Sequence, residues 1–168
     1  MQIFKSLRRS DFNIAHNITC DADGWVYVAD RENHRVQVFD GNGRYETQWN
    51  NLHRPSGLYM PPVKTPGECP LCYISEIGPH LSVNINHPNI GPRISVMDAK
   101  GRLLATVQAN PARGTAPGQF ISPHGMTVDS HGDLYVGEVA YVSFSRSYPN
   151  VPKPARIRCL QKLVKLKG

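Results

Sequence analysis

The chain has 168 residues, of which 40% are hydrophobic and 19% charged, with a formal charge of +6. That length and balance describe a globular domain with a real core and exclude a disordered chain. No apolar run approaches the ~18 residues of a membrane span, and the opening "MQIFKSLRRSDF" lacks the apolar segment of a signal peptide.

The first unit runs through "HNITCDADGWVYVADRENHRVQVFDGNGR". "WVYVA" is short, aromatic and β-branched, as expected of a strand buried on both faces. "RVQVF" alternates apolar and polar residues and ends on Asp-x-x-Gly, the chemistry of a hairpin turn. The second unit starts at "RPSGLYM", passes "CYISEIG" and repeats the alternating strand and turn as "RISVMDAKGR". It is lengthened by insertions around residues 61–71 and 79–92. The third unit, "SPHGMTVDSHGDLYVGEV", overlays the first at an offset of 108 residues without a gap. That offset sets Phe12 on Phe120, His16 on His124, Tyr27 on Tyr135 and Asp30 on Glu138.

Lys153, Arg156, Arg158, Lys162, Lys165 and Lys167 fall in the last sixteen residues, with no acidic residue among them. Alternating with apolar residues in "RIRCLQKLVKLK", they read as the wet face of a closing strand. The absence of interleaved aromatic residues argues against nucleic acid as a partner.

Helical periodicity is absent, and 14 Pro and 14 Gly punctuate the chain. Units of about 40 residues with several short strands are the repeat of a β-propeller. The expectation is an all-β fold of three four-stranded blades, approximately 12–50, 54–108 and 120–168. The last blade ends on its third strand, and "MQIFKSL" is a candidate for the strand that completes it. Three blades do not close a ring, so the chain reads as half of a six-bladed propeller. Either further blades lie upstream or two copies self-associate to complete the ring.

In a propeller, equivalent positions are related by rotation about the central axis. His16 and His124 open the innermost strands of blades two apart, so both face one space at one mouth of the channel. Ser56 takes that position in the middle blade. Histidines on alternate blades of six form a pseudo-threefold set, and three imidazoles with an open position are a catalytic zinc arrangement. Arg31 stands where the sister units carry Ile77 and Val139. It is a candidate for holding a carboxylate near the channel, or else it forms a surface ion pair with Glu32. Asp30, Glu76 and Glu138 recur in every unit and are expected to accept hydrogen bonds from backbone donors. His34, His53, His80, His87 and His131 fall in turns or insertions and read as surface residues. Cys69 and Cys72, a lone "CPLC" in a proline-rich stretch, are expected to be loop thiols or a local disulfide.

The strings "HNITCDADGWVYVADRENHRVQVF" and "SPHGMTVDSHGDLYVGEV" resemble the NHL-repeat propellers and, more narrowly, the peptidyl-α-hydroxyglycine α-amidating lyases and their bacterial relatives. The resemblance implies a six-bladed propeller with a three-histidine zinc. Its implied reaction splits a peptidyl-α-hydroxyglycine into a peptide amide and glyoxylate. His16 and His124 match two of the zinc ligands, and Arg31 matches an active-site arginine. The remaining ligand and a catalytic tyrosine belong to upstream blades. Ser122 stands where the animal enzymes have methionine; Gly125 replaces an aspartate, a departure that puts the family's calcium site in doubt. A small-molecule or peptide substrate follows from this reading, with no membrane partner. Two alternatives stand beside it: an NHL propeller serving as a scaffold for protein, peptide or RNA, and a hydrolase or lactonase of the wider propeller group.

Overall fold

The four Asp-x-x-G turns explain why the strands fold back where they do. In the computed structural model, which describes residues 12–65, 68–79, 83–84 and 89–166, Asp40 closes its turn with both backbone and side chain. Its carbonyl accepts from the Gly43 N–H at 2.9 Å, and its carboxylate accepts from the Asn42 and Arg44 N–H groups at 2.9 and 2.8 Å. Asp98 does the same for Gly101, Lys100 and Arg102. The fourth turn residue needs a positive φ, and Gly43 and Gly101 adopt 77° and 79°. Asp21 and Asp129 cap the corresponding turns between the inner strands.

Among the described residues the strands form three antiparallel sheets. The first holds β1 (Ala15–Cys20), β2 (Val26–Asp30), β3 (Arg35–Phe39) and β4 (Tyr45–Trp49) in sequential order. The second holds β5 (Pro55–Tyr59), β6 (Leu71–Glu76), β7 (Arg93–Asp98) and β8 (Leu103–Val107). The third has β9 (Pro123–Val128), β10 (Leu134–Glu138) and β11 (Leu160–Leu163), with β10 in the middle. Three sequential meanders packed face against face make a partial β-propeller. "MQIFKSL", the candidate closing strand, lies outside the described residues, as do His80 and His87.

Apolar faces of neighbouring blades meet to form the core. Tyr27, Val36, Val38 and Trp49 of the first blade pack with Leu58, Ile74 and Met97 of the second. Ile94 of the second blade packs with Phe120, Leu134 and Val136 of the third. Each such side chain, fully withdrawn from water, contributes about 1.5–3 kcal/mol. Cys72 belongs to this core. It lies in β6 and is fully buried, while Cys69 is exposed and all four cysteines are free. The loop reading of "CPLC" therefore holds for Cys69 and fails for Cys72, because the strand starts at Leu71 and carries the thiol inward.

A helix, α1 (Ala140–Ser147), fills the connection between β10 and β11. Ala140 and Phe144, one turn apart, bury against Ile121, with Tyr148 and Ile157 alongside. Two turns are shorter than the window over which helical periodicity is legible, so the sequence pattern missed it. Among the described residues no helix is long and apolar enough to cross a membrane.

Candidate functional site

One backbone irregularity recurs in all three blades. The pairing of β1 with β2 skips His16, between Ala15 opposite Asp30 and Asn17 opposite Ala29. In β5 it skips Ser56, between Pro55 opposite Glu76 and Gly57 opposite Ser75. In β9 it skips His124, between Pro123 opposite Glu138 and Gly125 opposite Gly137. A bulge residue lies outside the ladder and its side chain is turned out of the pleat. The same device thus aims His16, Ser56 and His124 out of their blades at one end of the inner strands.

Each bulge is anchored by the acidic residue that ends the second strand. Asp30 accepts from the Asn13 N–H at 2.8 Å, Arg35 Nε at 2.8 Å and Gln37 Nε2 at 3.0 Å. Glu76 accepts from the His53 N–H, from Arg93 Nε at 2.8 Å and from the Ser95 hydroxyl. Glu138 accepts from the Ile121 and Ser122 N–H groups at 2.8 and 3.2 Å and from Gln161 Nε2 at 3.0 Å. These carboxylates, of which Asp30 and Glu76 are fully buried, collect donors from the segment leading into the bulge and from the third strand, which fixes the bulge's position.

The His16 and His124 rings lie with centroids 4.5 Å apart at 68°, edge to face. Gly57 lets the third blade come this close. A Cβ on it would stand 1.9 Å from the His124 carbonyl oxygen and 2.8 Å from Ser75 Oγ. That carbonyl accepts from Ser75 Oγ at 2.6 Å, and the Ser56 hydroxyl donates to the Pro123 carbonyl at 2.8 Å. His16 Nδ1 lies 2.7 Å from the Ser56 carbonyl oxygen. A carbonyl only accepts, so Nδ1 carries a proton, and in the neutral ring it is Nε2 that keeps the lone pair. Burial, and then the charges of His16 and Arg31, lower the His124 pKa from its ordinary value. Two imidazoles side by side, one oriented by a backbone carbonyl, are suited to a divalent transition metal. Among the described residues no group of three His, Cys, Asp or Glu is placed to hold a metal.

Arg31 sits at the same end. Its N–H donates to the Ile14 carbonyl at 3.2 Å, two residues before His16; Ile77 and Val139 make the matching bonds to Arg54 and Ser122. Its Nε pairs with Glu32 Oε1 at 2.7 Å. The pair is not a surface one: the two side chains are only 18% and 19% exposed, and Glu32 also receives buried Arg54 through Nε and Nη2. Burial raises the Glu32 pKa, but the two arginines outweigh it and pull it down to about 2. The sequence points to Glu32 as a partner of Arg31 but not to Arg54. "DREN" names the first as a polar neighbour of Arg31, but nothing in "RPSG" announces that Arg54 reaches back one blade. Arg54 takes a left-handed backbone, φ 59°, at the position where Ile14 has φ 62°. The fold imposes this conformation before each of these two bulges. Cys72 lies four residues down β6 from Glu76, about 13 Å along the strand.

Residues 12–39 match the NHL repeat family. Human NHL repeat-containing protein 3 is 34% identical over a match covering 42% of this chain and 29% of that protein. The mouse protein of that name is 49% identical over 27% of this chain and 14% of its own length. The chain thus spans under a third of the curated relatives it matches. A solved structure of a protein of unknown function from Bacteroides caccae superposes with a TM-score of 0.58 at 14% identity. It covers 86% of this chain, which spans 43% of that structure; the likeness concerns the fold alone.

Proposed function

We propose that His16 and His124 are two ligands of a zinc site at the mouth of an NHL-repeat propeller with lyase-like activity, and that Arg31 binds the carboxylate of a small-molecule or peptide substrate there. The observation that carries this reading is the His16 ring, held by the Ser56 carbonyl with Nε2 free, 4.5 Å from the His124 ring. Zinc, when bound, acts as a Lewis acid on a substrate hydroxyl or carbonyl oxygen. His16 and His124 would bind the ion through ring nitrogens. Arg31, fixed at Nε by Glu32, has no hydrogen bond from its Nη atoms among the described residues and can turn that edge to a carboxylate. The resemblance to the peptidyl-α-hydroxyglycine lyases names the substrate class: a peptide ending in α-hydroxyglycine.

The test is calorimetric titration of the full chain with zinc, beside His16→Ala and His124→Ala. The reading expects one equivalent bound by the parent and none by either variant. A parent that takes up no zinc, or variants that bind as it does, would contradict it. A second reading, a propeller that serves as a binding scaffold, is favoured by the lack of a third ligand among the described residues. Zinc indifference combined with intact folding is the result that supports it.

A further inference from the structure

A small cleft of about 20 Å³, open to solvent, lies between the second and third blades, lined by Arg54, Arg113, Arg146, Ser143, Ser147 and Ile121. We infer that this cleft is a binding site for a small oxyanion, a carboxylate or phosphate group, gripped by Arg113 with Arg54 and Arg146 around it.

The inference starts from an unpaired charge. Arg35, Arg93 and Arg102 each place Nε on a carboxylate, at 2.8, 2.8 and 3.1 Å. Arg113 has no carboxylate partner among the described residues. Its Nη1 donates to Ser147 Oγ at 3.0 Å and to the Ile121 carbonyl at 3.4 Å, and its Nη2 to the Pro79 carbonyl at 3.2 Å. Its Nε is buried and makes no hydrogen bond among the described residues. Withdrawing a guanidinium from water without a counter-ion is costly, and burial does weaken this cation's hold on its proton. An anion entering the cleft would offset that cost.

The surroundings favour the same ligand. Arg31, Arg54, Arg113 and Arg146 gather at this end of the blades, and Glu32 answers only the first two. Ser143 and Ser147, one helical turn apart on α1, bring hydroxyl donors to the wall. The C-terminal end of α1 adds about half a negative charge at most, which the full guanidinium charges outweigh.

The site is separate from the histidine pair, and so is its test. The Nε–Hε signal of Arg113 is followed by 1H–15N NMR in the full chain. Sodium acetate or sodium phosphate is added against sodium chloride at equal ionic strength. The expected result is a saturable one-site shift with acetate or phosphate and none with chloride. The tighter of the two identifies the ligand as carboxylate or phosphate. Arg146→Gln, on an exposed residue, should weaken the effect roughly fivefold, as expected for a charge-assisted hydrogen bond of ordinary strength. Arg113→Gln, followed through other cleft signals, should abolish it; if that variant does not fold, Arg146→Gln decides alone. A purely structural Arg113 would lower stability when replaced, yet leave acetate and phosphate no different from chloride. That equality, or a full response in Arg146→Gln, would overturn the site.

Discussion

His16 Nδ1 lies 2.7 Å from the Ser56 carbonyl oxygen, so the bulge residue of one blade orients the imidazole of another. The contact spans forty residues of sequence and fixes a tautomer. Long-range 1H–15N spectra above the histidine pKa should show His16 protonated at Nδ1. A dominant Nε2–H form would contradict this geometry.

Gly57 and Gly125 make a matched pair of substitutions. A Cβ at Gly57 would strike the His124 carbonyl, whereas one at Gly125 meets nothing within 4 Å. Gly57→Ala should destabilise the chain by about 1–3 kcal/mol, the ordinary cost of overpacking, and move the two histidine rings apart. Gly125→Ala should leave the thermal midpoint nearly unchanged. Equal effects would show that the blades do not pack as closely as described.

Glu32 contributes a stability that depends on pH. Its folded pKa is about 2, below the ordinary value of 4.5. A depressed carboxylate stabilises the folded state above its unfolded pKa and loses that contribution as the pH falls through its folded one. The window is therefore about pH 4.5 down to 2, and the size is on the order of 2–3 kcal/mol for a group of this exposure. Urea unfolding of the parent and of Glu32→Gln should differ most at pH 6–7, and the difference should shrink toward pH 2. A constant difference would assign the loss to packing instead.

Cys72 should resist alkylation in the native chain. Burial pushes its thiol up to about 12, whereas Cys20, Cys69 and Cys159 are exposed and free. Treatment with iodoacetamide at pH 8, read by mass spectrometry, should modify three thiols in the folded chain and four in denaturant. Rapid loss of all four in the native state would place Cys72 outside the core.

The repeat made much of this legible before any coordinate. The overlay of His16 on His124 and of Asp30 on Glu138 is a statement about rotation around an axis, and the three sheets obey it. The bulge was not legible, since an extra residue in a ladder shows only in register. Nor was Arg54, whose partner Glu32 lies 22 residues away in another blade. Helix α1 escaped because two turns carry too short a pattern. Arg113 looked like any arginine in a Gly- and Pro-rich loop until its missing counter-ion could be seen.

The central claim is that His16 and His124 bind one metal ion. X-ray absorption of the zinc-loaded full chain tests it most directly. The account predicts imidazole nitrogens at about 2.0–2.1 Å, two per zinc in the parent, and no such nitrogen shell in His124→Ala, which loses the metal. A shell of oxygen alone, or one unchanged by replacing either histidine, would contradict it.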